Sequence, residues 1–214
     1  MFYLVKTPWW LKRLYPGLVW DLPAATNGDG RTEKILYLTF DDGPHPQATP
    51  FVLDQLQRYG ARATFFCIGK NVVGYPQIYK RILAEGHRVG NHTHNHLNGW
   101  KSPDADYLEN IRLAGRYIDS DLFRPPYGRI SAFQSRLLRR PPAPFRIIMW
   151  DVLSGDFDRS RDAESCARGV LRHARPGSIV VFHDSEKAFG RLEGALPVVL
   201  EAFAEKGYRF EAVG

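Results

Sequence analysis

The chain has 214 residues, 44% of them hydrophobic and 24% charged, which describes one globular domain with a real core and excludes a disordered or fibrous chain. A net charge of +6 favours an anionic partner such as nucleic acid, a phosphorylated lipid surface or an acidic glycan, yet Lys and Arg are scattered without a run of five. A solvated basic surface is the simpler reading, and no nucleic-acid partner is expected.

Residues 1–20 contain Lys6, Pro8, Lys12, Arg13 and Pro16, so they form neither a signal-peptide core nor a membrane span. Trp9, Trp10, Tyr15 and Trp20 interleave with the basic residues. Packing across the folded domain is their expected use, with peripheral contact to a membrane surface as the alternative. Asn27-Gly28-Asp29-Gly30 is a turn signal. It divides an N-terminal arm, residues 1–31, from a main domain, residues 32–214. The expected compartment is cytoplasmic or membrane-peripheral, with the cell envelope as the alternative.

From Lys34 onward, short apolar runs alternate with amphipathic stretches. The pattern predicts strands over 35–40, 63–68, 88–91, 122–124, 145–150, 178–182 and 208–210. It predicts helices over 49–59, 76–85, 104–119, 162–173 and 192–206, with Pro197 bending the last. Cys67 falls inside the second run and reads as a buried free thiol, and neither it nor Cys166 demands an oxidising compartment. Alternating strands and helices imply βα units and a mainly parallel sheet. About seven units suit an α/β fold of the distorted (β/α)7 barrel type, in which chemistry gathers at strand ends.

Reactive groups do follow the strands. Thr39-Phe40-Asp41-Asp42-Gly43-Pro44 places two carboxylates after the first run. Neighbouring strand residues point to opposite faces, so both acids reach one site only if the strand breaks, and Gly43-Pro44 supplies the break. Two such carboxylates resist joint ionisation unless a cation lies between them. After the third run comes His92-Thr93-His94-Asn95-His96. His92 and His96 have the i, i+4 spacing that brings two imidazoles to one metal, with His94 a polar neighbour; a His92–His94 pair would suit an extended segment instead. A carboxylate and two imidazoles leave positions open for water and substrate, as catalytic zinc requires.

Two further groups follow later strands. In Phe123-Arg124-Pro125-Pro126-Tyr127-Gly128 the prolines stiffen a loop and Gly128 permits close backbone approach to a ligand. Arg124 can hold a catalytic carboxylate as a bidentate pair, the competing reading being an Arg on a surface loop. In Val180-Val181-Phe182-His183-Asp184 a histidine directly follows a buried run, which suits general acid work. A nearby carboxylate would keep it protonated, and Asp156, after the fifth run, is the candidate.

These motifs, in this order across residues 34–210, resemble the polysaccharide deacetylase family, also called carbohydrate esterase family 4 or the NodB-homology domain. The resemblance implies Asp41 as general base, with Asp42, His92 and His96 as ligands of a divalent metal, Zn²⁺ first and Co²⁺ or Ni²⁺ as alternatives. It implies that Arg124 steadies the base, that the Tyr127 N–H binds the oxyanion, and that Asp156 orients His183 as general acid. Phe157 stands where the family often has Trp, and Val181 where Leu is common. The implied activity is hydrolysis of N-acetyl groups on an N-acetylglucosamine-containing glycan: peptidoglycan, a chitooligosaccharide or a surface polysaccharide precursor. Rival readings keep the site for O-acetyl esters or small amides and imides, or make the chain a non-catalytic glycan-binding protein with a vestigial metal site.

Overall fold

A computed structural model describes residues 3–24, 26, 28–142 and 144–214. Met1, Phe2, Ala25 and Asn27, parts of the expected arm and its turn, lie outside the described residues. The strands are β1 (Ile35–Asp41), β2 (Thr64–Cys67), β3 (Arg88–Asn91), β4 (Leu122–Phe123), β5 (Arg146–Ile147), β6 (Val152–Leu153), β7 (Ile179–His183) and β8 (Arg209–Phe210). They form one sheet in the order β5-β4-β3-β2-β1-β7-β6, with β8 against the start of β1. Every strand pairing is parallel. Among the described residues no pairing joins β5 to β6, so the sheet curls into a barrel with one open seam.

Strand periodicity sorts side chains between two environments. Leu36, Leu38 and Phe40 of β1, Phe65 and Cys67 of β2, and Val180 and Phe182 of β7 share one core. That core includes Val52, Leu53 and Leu56 of α2 (Ala48–Arg58), Val170 of α7 (Ala163–His173) and Leu196 of α8 (Glu186–Glu205). Burying these apolar faces is the main favourable term for the fold. The alternate residues, Thr39 and Asp41 of β1, Phe66 of β2, and Val181 and His183 of β7, therefore face the barrel interior. The buried thiols of Cys67 and Cys166 are both free, and burial pushes that of Cys166 up to about 11.

The expected strand over 145–150 is not a single strand. Arg146 and Ile147 pair with β4, after which the chain crosses the seam and Val152 and Leu153 pair with β7. The N-terminal arm occupies that seam. The Met149 N–H donates to the Val19 carbonyl at 2.7 Å, and the Leu153 N–H to the Val5 carbonyl at 2.8 Å. Both open edges thus find backbone partners in the arm, which removes the unpaired strand edges that the split would leave.

A charge clamp holds the arm. Lys6 and Lys12 both reach Asp151, whose side chain also accepts from the Ser178 hydroxyl. Burial works against the Asp151 carboxylate, but Lys12, Lys6 and Ser178 outweigh it and hold its pKa below the usual range. Asp151 is thereby a strut for the arm.

Three short helices had no periodic signal: α1 (Trp9–Leu14), α3 (Gly69–Gly74) and α6 (Ala132–Leu138). Six or seven residues make two turns at most, too few to establish a period. The remaining helices, α4 (Pro76–Ala84) and α5 (Asp104–Ala114), begin where expected, but α5 stops at Gly115. The last helix starts at Glu186 and contains Pro197 within one continuous element. No described helix is long and apolar enough to cross a membrane. Trp9 and Trp10 remain exposed, whereas Trp20 is buried.

Asp151→Ala leaves Lys6 and Lys12 facing a hole where their acceptor stood. Urea unfolding should register a loss of about 1–3 kcal/mol.

Candidate active site

Asp41, the last residue of β1, points inward and is 4% exposed. Its Oδ1 accepts from Arg124 Nη1 at 2.7 Å. The pair is single-pronged, contrary to the bidentate expectation, because the other guanidinium donors are taken. Nη1 also donates to Thr39 Oγ1, Nε to the Ile148 carbonyl and Nη2 to the Met149 carbonyl. Arg124 is fully buried, with its guanidinium carbon 4.0 Å from the centre of the Phe66 ring. It is a structural pivot rather than an Arg on a surface loop. Burial opposes its charge, which Asp41 supports.

Asp42 reaches the same cavity because its backbone turns to φ 79°. The other non-glycine residues with positive φ among those described are Thr93, His96 and Tyr127, all in the loops of this site. Such conformations cost energy and persist only where the surroundings hold them. The Asn71 side chain donates to the Asp42 carbonyl, and the Gly43 N–H donates to Asp184 Oδ1. A β-carbon on Gly43 would lie 2.0 Å from an Asp184 oxygen, so this turn accommodates only glycine.

Asp42, His92 and His96 each offer a donor atom, all within 4.8 Å of one another. His92 Nδ1 is 2.7 Å from the Arg124 carbonyl, which assigns the proton to Nδ1 and leaves Nε2 as a lone-pair donor. Burial lowers the His92 pKa to about 4, so the ring is neutral near pH 7. His96 Nδ1 lies 3.1 Å from the Tyr127 hydroxyl. Asp42 Oδ1 is buried without a hydrogen bond although it stands 3.1 Å from His96 Nε2 and 3.6 Å from His92 Nε2. Three donors that converge without satisfying one another fit a divalent cation. Burial opposes the Asp42 carboxylate, but His96, His183 and His92 prevail and hold its pKa well below the usual range. His94 instead packs beside Tyr117 and Gly69.

His183 ends β7 directly beside Asp41 in register. Asp156 Oδ2 accepts from its backbone N–H and Oδ1 from its ring Nδ1–H, both at 2.7 Å. Asp156 follows β6 rather than the fifth strand, and the β6–β7 pairing delivers it to His183. Burial works against the imidazolium, but Asp156, then Asp42 and Asp41, raise its pKa to about 9.

One groove of about 580 Å³ contains Asp41, Asp42, His92, His96, Tyr127 and His183 in its walls. Arg124 and Asp156 stand behind it. Tyr127 adopts φ 60°, and its N–H makes no hydrogen bond within the described residues. A β-carbon on Gly128 would meet the Trp150 ring at 2.6 Å, so the glycine lets this loop close against Trp150. Tyr3, Leu4, Pro8 and Leu11 of the arm form another wall, with Phe157 and Val181 also lining the groove.

Sequence reasoning missed two supports. Thr39 Oγ1 accepts from Arg124 and donates to the Val180 carbonyl. Asp184 is fully buried and binds Gly43 N–H and the Thr49 hydroxyl. Burial, with Asp42 and Asp41 nearby, pushes the Asp184 pKa up to about 8 despite Thr49. Its position after a strand-end histidine was the available signal, but the Thr49 contact is visible only in three dimensions.

Residues 28–140 match the polysaccharide deacetylase family. A peptidoglycan-N-acetylglucosamine deacetylase of Bacillus cereus is 36% identical over 203 residues, covering 92% of this chain and 91% of that protein. The chain belongs to the polysaccharide deacetylase family. Membership brings the family's general deacetylase function. A chitooligosaccharide deacetylase of Bradyrhizobium sp. is 37% identical over 164 residues, covering 73% of this chain and 74% of that protein. The solved Bc1960 peptidoglycan N-acetylglucosamine deacetylase, in complex with 4-naphthalen-1-yl-N-oxidanyl-benzamide, superposes with a TM-score of 0.83. It shares 30% identity and covers 97% of this chain and 95% of its own. This polysaccharide deacetylase therefore has the parallel curled sheet of its solved relatives.

In metal-free protein, NMR titration should place the His183 pKa near 9, with the imidazolium form below that pH. Asp156→Asn removes the main charge that raises it, so its pKa should fall towards the ordinary histidine value. Asp184→Asn, isosteric with a neutral carboxyl, should preserve stability within about 1 kcal/mol, whereas Asp184→Ala should lose about 1–3 kcal/mol on urea unfolding.

Proposed function

We propose that this protein is a metal-dependent hydrolase that removes N-acetyl groups from an N-acetylglucosamine-containing glycan. One observation carries the reading: two carboxylate–cation pairs of opposite purpose share one groove. Asp41 is held by Arg124 as a base, and His183 is held by Asp156 as an acid. A carboxylate held by a cation beside an imidazole held by a carboxylate supplies the base and the acid that amide hydrolysis needs. The named relatives act on peptidoglycan N-acetylglucosamine and chitooligosaccharides, which supports the substrate class.

Asp42, His92 and His96 would hold the cation, zinc before cobalt or nickel, which when bound polarises the acetyl carbonyl and lowers the pKa of its water. Asp41 takes the proton of the attacking water while Arg124 keeps the carboxylate oriented. The unpaired Tyr127 N–H donates to the oxygen that gains charge as the carbonyl carbon becomes tetrahedral, a contribution of roughly 3–4 kcal/mol for one donor. His183 Nε2 gives its proton to the amine nitrogen as the C–N bond breaks, and Asp156 stabilises the charge His183 carries beforehand. Acetate and a free amino sugar are the products. In this reading residues 1–31 are an arm that completes the groove of the catalytic domain, residues 32–214; the hydrogen bonds of Val5 and Val19 to the seam support it.

Acetate release from N-acetylglucosamine oligomers tests the proposal. Asp41→Asn should lower kcat by about 10²- to 10⁴-fold, and retention of full activity would overturn its role. Chelation with EDTA should abolish turnover, and added zinc should restore it.

A further inference from the structure

Beyond the catalytic groove lies a second cleft of about 560 Å³, lined by Arg159, Glu186, Lys187, Gly190 and Arg191. Lys187 lines both cavities, so the two adjoin at this side chain. Three cations face one carboxylate there, and none of the four takes part in an ion pair among the described residues. The cations are not interchangeable surface charges. Arg191 is fixed, with Nε donating to the Asp156 carbonyl at 2.5 Å and Nη2 donating to the Lys187 carbonyl. Lys187 Nζ lies 5.8 Å from the centre of the Phe157 ring. That ring in turn stands 5.3 Å from the His183 ring.

The cleft therefore sits on the His183 side of the groove, where the sugar bearing the departing amine must stand. Arg129, which also lines the groove, is stacked over Trp100. A pre-positioned guanidinium with a lysine and a second arginine beside it suits a carboxylate or phosphate, for which arginine supplies paired donors.

We propose that Arg159, Lys187 and Arg191 form an anion-binding subsite adjoining the catalytic groove at Lys187. It takes a carboxylate or phosphate carried by the glycan on or next to the sugar that is deacetylated. The subsite presupposes the deacetylase reading of the groove, and it makes charge on the glycan a determinant of specificity.

Kinetics on three oligosaccharides of equal length test it: a neutral N-acetylglucosamine oligomer, one whose adjacent sugar carries a lactyl carboxylate, and one carrying a sugar phosphate. At about 50 mM salt the wild-type KM should be about fivefold lower for the charged glycans, the scale of a few exposed charge contacts. A preference confined to the carboxylate or to the phosphate identifies the natural group. The double variant Arg159→Ala/Lys187→Ala should bring the KM values within about twofold of one another, as should about 500 mM salt, through KM rather than kcat. Equal KM values in the wild type, or a preference that survives the double variant, overturns the subsite. Should no glycan release acetate, the deacetylase reading fails on its own. Calorimetric binding of the same three glycans then decides the subsite: tighter binding of a charged glycan supports it, and equal binding overturns it.

Discussion

The buried ion pair between Arg124 and Asp41 is the interaction on which the site depends. A guanidinium with no exposure to solvent survives only if its charge and its N–H groups are all met from within the protein. Here one carboxylate meets the charge, while Thr39 and the carbonyls of Ile148 and Met149 accept from the same guanidinium, so that each of its three nitrogens has a partner. Those partners come from β1 and from the segment that crosses the seam, so a single side chain ties opposite parts of the curled sheet together. Losing one member of such a pair costs about 3–5 kcal/mol, because the other is left charged and buried. The constraint also serves chemistry. The same contact fixes the position of the carboxylate proposed as the base.

The candidate metal-binding cluster of Asp42, His92 and His96 is placed by the same device. The carbonyl of Arg124 accepts from His92 Nδ1, so the backbone of the buried arginine selects the tautomer of the first imidazole. Around it, Asp42, Thr93, His96 and Tyr127 hold left-handed backbone conformations that their side chains do not favour. Strain concentrated in these turns is opposed by hydrogen bonds within the same segments: Asn71 donates to the Asp42 carbonyl, while Asn91 and Asp184 accept from the N–H groups of Thr93 and Gly43. Rigid supports beneath strained turns keep the donor atoms converged on a common point.

The N-terminal arm gives the barrel its last wall. Without Val5 and Val19 the edges of β5 and β6 would present unpaired backbone groups. With them, Leu4, Pro8 and Leu11 line the same groove as Asp41, Asp42 and His183. The arm is held by charge, through Lys6 and Lys12 on Asp151, and the outward faces of Trp9 and Trp10 stay in solvent.

Local sequence was sufficient for much of this. Strand periodicity set the alternation of apolar and reactive residues, so the parallel α/β architecture and the strand-end positions of Asp41, His92, Arg124 and His183 were legible from pattern alone. The break at Gly43-Pro44 announced that both Asp41 and Asp42 could enter one cavity. What only the tertiary structure decided has one physical cause: the deciding contacts join residues far apart in the chain. The division of 145–150 at the seam depends on an arm more than 120 positions earlier, since Val19 bonds Met149. The single-pronged hold on Asp41 depends on carbonyls that compete for Arg124. The role of Asp184 depends on Thr49, 135 positions away, and no local propensity encodes such a pairing.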